Sequence, residues 1–532
     1  MIAAFMLAAI PSIVPWPRSV HAGANIRSWP GSPAVAQRIL SPADKRLGDE
    51  GYTLSVTAQG VTAEANTRAG LFYAMQTFKQ LRATSLAREM QIRDWPAYRW
   101  RGVHLDTARH FFDVATVERY IDVAARYKLN IFHWHLTDDQ AWRLPVPGYP
   151  NLISGRPSYT AAQVREVVAY AARRFVTVLP EVEMPAHASA AIEAYPQFGC
   201  GRSDVFCARA STFAFLQDAL AQTFDLFPDP YVHIGGDEVP AGYNEPAFIS
   251  RIERYVRTRG RRIVGWNEIL SPQLSTSAVV MAWNSMRRAA DAARRGNDVV
   301  VSGWPLYFDA AQGDPMQEPR ATRHVSTLDE VYSWDVVPPG LAGDQRARVV
   351  GGEAALWTER IRTPQHLFYM LLPRELALAE ILWTPRAQKN WPNFLQRLPA
   401  QFAWLDAQGY PFRIPNASMS VEGDRTVFTA LPGEIQSVDA WTTAARVKLA
   451  LSTPIDATIR YTLDGKTPAR SAPAYREPVI LNLSPGARLD VRAAAFFGGR
   501  RGAVTECRIH RVGPGAMPRT NVARSWGALV SP

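Results

Sequence analysis

The sequence predicts an α/β protein: a (β/α)8 TIM barrel, with a small α+β domain ahead of it and a small β-sandwich behind it. Three observations carry that reading. Eight short apolar or β-branched runs lie between Arg101 and Trp357, helical periodicity fills several gaps between them, and the composition changes on both flanks. Buried strands alternating with helices imply a parallel sheet, and eight such units over about 250 residues suit a closed barrel.

In chain order, "MIAAFMLAAI" is apolar but too short to span a membrane, and "SVHA" follows with Val20 and Ala22 spaced like a small-residue cleavage site. Residues 1–22 read as a signal peptide of an exported protein, periplasmic or extracellular. No positive charge precedes the apolar run, and a core strand is the other reading. Residues 23–96 form the α+β domain: "YTLSVTAQGVTAEA" alternates as two strands joined at Gln59-Gly60, and a helix follows.

The barrel occupies 97–412. Its strands are "GVHLDT" (102–107), "NIFHWHLTD" (130–138), "FVTVLPEVEMP" (175–185), "YVHIGGDE" (231–238), "RIVGWNE" (262–268), "AVVMAWN" (278–284), "DVVVSGW" (298–304) and "VVGGEAALW" (349–357). Val117, Ile121, Ala124 and Ala125 recur at helical spacing after the first. Thr160 and Gln163 make a capping-box pattern ahead of Val164, Val167, Val168 and Ala171 after the second. "TFAFLQDALAQTFDLF" (212–227) follows the third. Residues 413–512 read as short strands with turn signals, a β-sandwich, and 513–532 as a tail.

Composition narrows the function classes. The 532 residues are 47% hydrophobic and 20% charged, an ordinary globular balance. The net charge of +11 comes from scattered arginine rather than basic runs, which argues against a nucleic-acid partner. No later stretch offers about 20 apolar residues, so no integral membrane segment is expected. In an exported chain Cys200 and Cys207 could bond locally and leave Cys507 unpaired; the three match no metal or redox motif.

Barrel active sites form at the C-terminal ends of the strands. Asp106, Asp138, Glu183, Asp237, Glu238, Glu268, Trp283, Trp304 and Trp357 then ring one mouth. Asp237 and Glu238 are adjacent in "YVHIGGDEVP", so their side chains diverge and suit two different jobs. The glycines before them mark a close approach to the backbone.

"RGVHLDTARHF", "LNIFHWHLTDD", "PEVEMPAH", "HIGGDEVP", "WNE", "YFD" and "GGEAALWTE", in this order, resemble the family 20 glycoside hydrolases, the β-N-acetylhexosaminidases. The resemblance covers about residues 40 to 410, and the C-terminal segment resembles the Ig-like domain of bacterial chitobiases. It implies a retaining enzyme that removes terminal β-linked GlcNAc or GalNAc from an oligosaccharide or glycoconjugate, with the substrate's acetamido oxygen as nucleophile and no cofactor or metal. By the same resemblance Glu238 is the general acid and base, and Asp237 orients the acetamido group. Arg109 and Glu359 bind sugar hydroxyls, while Asp138 and His187 belong to the supporting polar network. Trp266, Trp283 and Trp357 wall the acetamido pocket, joined by Trp304 at the mouth; Tyr307 donates to the acetamido oxygen and Asp309 supports its N–H side. Ala186 stands where the family usually has glycine, and the N-terminal domain resembles only the helix-bearing half of the family's usual one.

Each residue also has a plainer reading. Arg109 would pair with a barrel acid, Glu359 would cap the next helix, and a tryptophan would be core. Two rival functions have sequence support. A metal-dependent hydrolase would use His133 and His135, which share a strand face, with Asp138; His233 falls early in its run, away from the mouth. A silent sugar-binding barrel would keep the pocket, but it has no need of the acid pair Asp237 and Glu238.

Overall fold

A computed structural model of the chain describes residues 12–25, 35–83, 88–423, 426–430 and 437–518. It contains two compact units, one of residues Ile13–Asp309 with Leu328–Lys389, the other of Ala310–Thr327 with the described residues from Asn390 onward.

The first unit opens with a five-stranded sheet of β1 (Ser19–Asn25), β2 (Ala36–Ile39), β3 (Tyr52–Thr57), β4 (Gly60–Ala65) and β5 (Arg88–Asp94), in the order β1-β5-β3-β4-β2. β3 and β4 alternate buried and half-exposed residues along their length, as a sheet with one covered face requires. The helix Arg68–Arg82 supplies that cover; Thr67 caps it by accepting from the Ala69 and Gly70 N–H groups. The cleavage site read at Ala22 falls inside β1, where Ala22 pairs with Met90. Ile13 and Val14 are buried, and Val14 exchanges two backbone hydrogen bonds with the Gln80 amide. Residues 13–25 are thus part of the folded domain; the apolar run for which a core strand is the other reading lies in residues 1–11, outside the described residues.

The eight runs all enter one closed parallel barrel: β6 (Trp100–Asp106), β7 (Ile131–His135), β8 (Thr177–Glu181), β9 (Tyr231–His233), β10 (Arg262–Trp266), β11 (Val279–Ala282), β12 (Asp298–Val301) and β13 (Val349–Ala354), with β13 closing on β6. The strands are shorter than the runs, because their last residues turn into the loops of the mouth. The predicted helices form at Val114–Arg126, Ala161–Ala172 and Ala210–Leu226. The capping box at Thr160 and Gln163 is complete, with both reciprocal hydrogen bonds made.

In the second unit two sheets share one apolar core. Met419, Val421, Leu449 and Leu481 from one face Ala440, Val491, Ala493 and Ile509 from the other, the expected sandwich. The unit takes in Ala310–Thr327 and the chain from Asn390, ahead of the expected boundary at 413. The helix Trp391–Ala407 belongs with the sandwich because Phe402 stacks on Phe412 and meets Phe497, while Asp406 pairs with Arg500. Cys507 is a free, buried thiol of this core.

Candidate active site at the barrel mouth

The stretch after β9 makes the first part of the site. Ile234 to Gly236 leave the sheet through two left-handed glycines, φ 68° at Gly235 and 92° at Gly236. A Cβ on Gly235 would fall 1.6 Å from the Glu183 carboxylate, so glycine here is a requirement of packing as well as of backbone. The turn sends Asp237 inward and Glu238 outward: their side chains are 14% and 63% exposed. Glu238 has a φ of 51° and His187 of 52°, strained for residues with side chains and concentrated where chemistry is expected. Ala186 is buried in an ordinary conformation; the left-handed residue of its loop is His187, so the extra methyl is accommodated.

His187 stands between Asp237 and Glu238 on one side and Asp138 and Asp139 on the other. Its Nε2 lies 3.7 Å from Asp237 and 3.5 Å from Glu238, and its Nδ1 lies 3.3 Å from Asp138 and 3.5 Å from Asp139. Burial opposes its charge, but the surrounding carboxylates raise it to about 11. Burial pushes the Asp237 carboxyl up to about 6 against the pull of His187, and burial together with Asp237 lifts Glu183 well above the usual carboxylate range. Glu183 is held by the Gly236 N–H at 3.2 Å. Two facing carboxyl groups in a dry site keep one proton between them.

Arg109 is ion-paired as its plainer reading requires, to Asp138 at 2.8 Å and Asp106 at 3.5 Å, and its guanidinium lies 4.9 Å over Trp357. That pairing fixes a forked donor at the mouth beside the acids. Glu359 is exposed, and the following helix Pro364–Leu371 is capped by Thr363 instead. Trp266 is buried, donating its Nε1–H to Glu181 at 3.0 Å, whereas Trp283 and Trp357 are only partly buried. Trp283 donates its indole N–H to both oxygens of Glu268, at 3.1 and 3.0 Å. Trp304 meets the Tyr307 ring edge-on at 6.2 Å, and the Tyr307 hydroxyl donates to the Trp283 carbonyl at 2.5 Å. Asp309 is buried two residues further on.

This arrangement of acids, guanidinium and indoles has relatives. The profile for the glycosyl hydrolase family 20 catalytic domain matches residues 98–245 and 243–386, that for the family's domain 2 matches 17–95, and that for the chitobiase/β-hexosaminidase C-terminal domain matches 439–506. A β-N-acetylhexosaminidase of Cellulomonas fimi is 33% identical over 71% of this chain and 83% of its own. The chain belongs to glycoside hydrolase family 20. A β-hexosaminidase of Porphyromonas gingivalis is 34% identical over 87% of this chain, which spans 65% of that relative's length. The structure of the Streptomyces plicatus N-acetyl-β-hexosaminidase in complex with Thio-NAglucal superposes with a TM-score of 0.70, at 30% identity, over 76% of this chain and 96% of that one. The family 20 chain is accordingly a glycoside hydrolase of the β-N-acetylhexosaminidase type.

Beneath its mouth lies a layer that strand-end reasoning did not reach. His104, His133, His135 and His233 point into the barrel around Glu181 and Glu353, all fully buried. Glu181 pairs in register with His135 on one side and His233 on the other. His233 is therefore no outlier: its ring lies 4.5 Å from that of His133, and its Nδ1 is 2.7 Å from Glu181. His133 spans Glu353 at 2.7 Å and Glu181 at 3.1 Å. Gly102 makes room for Glu353, whose carboxylate would lie 2.2 Å from a Cβ there. Among the described residues three groups bring potential ligand atoms within 4.8 Å: His104, His135 and Glu181; His133, Glu181 and His233; Asp138, Asp139 and His187. The two interior groups share Glu181, whose oxygens accept from the Trp266 indole and lie close to three imidazoles, His133, His135 and His233. The signal for this layer was in the sequence, as Glu181 two residues before Glu183, His104 two before Asp106 and Glu353 in "GGEAALW".

Proposed function

We propose that the protein removes terminal, non-reducing β-linked N-acetylhexosamine, GlcNAc or GalNAc, with retention of configuration and through an oxazolinium intermediate. One observation carries this reading: Asp237 turned inward and Glu238 outward, with His187 within 3.5–3.7 Å of both. In the first step the acetamido carbonyl oxygen forms a bond to the anomeric carbon as the glycosidic bond breaks. Glu238 gives its proton to the departing oxygen. Asp237, as a carboxylate, accepts a hydrogen bond from the acetamido N–H and stabilises the positive charge that develops on the ring. Water then attacks the anomeric carbon, Glu238 takes its proton, and the acetamido group is released.

The remaining residues bind and orient. Arg109, Asp138 and Glu359 take sugar hydroxyls, with Asp138 also supporting His187. Trp266, Trp283, Trp304 and Trp357 exclude water from the acetamido pocket, where low polarity strengthens the Asp237 contact. Tyr307 turns its hydroxyl from the Trp283 carbonyl to the acetamido oxygen, and Asp309 assists on the N–H side. Export to an oxidising compartment accords with the Cys200–Cys207 disulfide; fractionation of producing cells tests it, and an exclusively cytosolic protein refutes it.

The test of the reaction is hydrolysis of p-nitrophenyl β-GlcNAc beside p-nitrophenyl β-glucoside, with GlcNAc-thiazoline as inhibitor. Cleavage of the first alone, blocked by the thiazoline and unaffected by exhaustive chelation, is expected. Equal cleavage of both sugars overturns acetamido assistance, and loss of activity on chelation returns the metal-dependent hydrolase.

A further inference from the structure

His135 is enclosed between two carboxylates. Its Nδ1 is in hydrogen-bond contact with Glu181, and its Nε2 lies 2.8 Å from Asp138 Oδ2. An ionised carboxylate only accepts, so an imidazole with a carboxylate at each nitrogen must carry a proton on both. Asp138 in turn is fully engaged: Oδ2 takes His135 and the Arg109 Nη2 at 2.8 Å, while Oδ1 takes the Asp139 N–H at 2.6 Å and faces His187 at 3.3 Å. The other oxygen of Glu181 holds the Trp266 indole.

We propose that His135 is a positioning residue for the general acid: as an imidazolium anchored on Glu181, it fixes Asp138, and Asp138 fixes His187 against Glu238. This inference rests on the function proposed above. A single buried carboxylate, Glu181, thereby ties the acetamido-pocket wall at Trp266 to the proton-transfer side of the site. Without the His135 charge, Asp138 would be free to turn toward Arg109 alone, and His187 would lose the carboxylate that faces its Nδ1 at 3.3 Å. The groups around His135 are Glu181 on β8, Asp138 beyond the end of its own strand, His133 on that strand, and His104 and Asp106 on β6, with the Trp357 ring 5.1 Å away. His104 is kept neutral by burial and by the neighbouring imidazoliums, and the carboxylates raise His135 to about 10 against the cost of burial.

The leaving group provides a readout that a merely structural role would not move. In full-length His135→Gln, turnover of chitobiose should fall about 10- to 100-fold, because a sugar alkoxide cannot depart without a proton, and that of p-nitrophenyl β-GlcNAc by an intermediate amount. Turnover of 2,4-dinitrophenyl β-GlcNAc, whose phenolate leaves without a proton, should fall less than about 3-fold. Glu181→Gln should show the same leaving-group dependence with a smaller loss. Equal losses across the three substrates overturn the proposal. Nitrogen-15 spectra of histidine-labelled wild-type protein decide the matter even if both variants fail to fold: both ring nitrogens of His135 should remain protonated at pH 8, and an unprotonated nitrogen at pH 7 refutes the imidazolium. An inactive wild type would instead count against the proposed reaction, while the spectra would still test the charge of His135.

Discussion

The floor and the mouth of the barrel are made of the same residue types, histidines and acids, yet they are held in opposite ways. In the floor, His133 and His135 are locked between Glu181, Glu353 and Asp138 at hydrogen-bond distances, with no solvent exposure of note. At the mouth, His187 meets its four carboxylates at 3.3–3.7 Å, and both it and Glu238 have left-handed backbones. A buried charge without a close partner costs several kcal/mol, so the floor must be tight to exist at all. The mouth keeps its charges loosely met, and a substrate can supply the missing contacts. Substitutions in the floor should therefore cost stability first, and those at the mouth rate first.

The largest effect separates the two regions outright. Glu238→Gln should lower kcat on p-nitrophenyl β-GlcNAc by about 10²- to 10⁴-fold, the usual size of general acid–base catalysis, with no change in Tm because the side chain is exposed. A normal rate would remove the assigned role. Glu353→Ala should do the reverse: it leaves the His133 imidazolium with half its compensation, at a cost of about 3–5 kcal/mol in thermal or denaturant unfolding. An unchanged melting curve would mean that the floor is not the ionic layer described here.

Asp237 belongs to both regions, being at the mouth but inward-turned, and should show both effects with opposite signs. Its folded value of about 6 lies above the roughly 3.9 of an unfolded aspartate, so the folded state binds the proton more tightly between them. Stability from this group is greatest at low pH and declines as pH rises through that window. Asp237→Asn should thus raise stability at pH 7 by about 1–3 kcal/mol while lowering turnover of substrates that depend on acetamido attack. The wild-type kcat/KM should fall as pH drops below about 6, where Asp237 takes up its proton. A variant that is both less stable and fully active would contradict each half of this assignment.

How much of this was legible beforehand differs between the same two regions. The barrel runs could be read because buried parallel strands are continuous apolar segments, and the mouth because its acids and tryptophans end those segments. Asp138, His187, Asp237 and Glu238 come together as the order of motifs implied. The floor was only half legible: Glu181, Glu353 and His233 stand out as polar residues inside apolar runs, but their partners come from other strands whose register no single run reveals. Trp266, read as a pocket wall, is also bound to the floor: it is buried and donates its indole N–H to Glu181, whereas Trp283 and Trp357 are only partly buried. The strand at Ser19–Asn25 was obscured by the small residues that also make a cleavage site, and its place in the sheet depends on Arg88–Asp94, far along the chain.

The smallest expected effect tests whether the mouth's looseness has a limit set from outside. The loop closed by the Cys200–Cys207 disulfide flanks His187 on both sides: the Phe206 N–H donates to the Pro185 carbonyl at 2.8 Å, and the Ala188 N–H to the Asp204 carbonyl at 3.2 Å. Opening the loop frees about eight residues, which by chain entropy weakens the loop's folded state by roughly 2 kcal/mol. Local opening of that size need not unfold the barrel, but it releases the two hydrogen bonds that hold the strained residue in register. Cys200→Ser with Cys207→Ser should therefore reduce kcat/KM on p-nitrophenyl β-GlcNAc by about 2- to 5-fold, a loss of less than about 1 kcal/mol in transition-state stabilisation. Reduction of the wild type should reproduce that loss, since the other cysteine, Cys507, is a free thiol with nothing to reduce. If kcat/KM is unchanged in both experiments, the left-handed conformation of His187 is held by the floor alone, through Asp138, and the mouth needs no support from its outer loop.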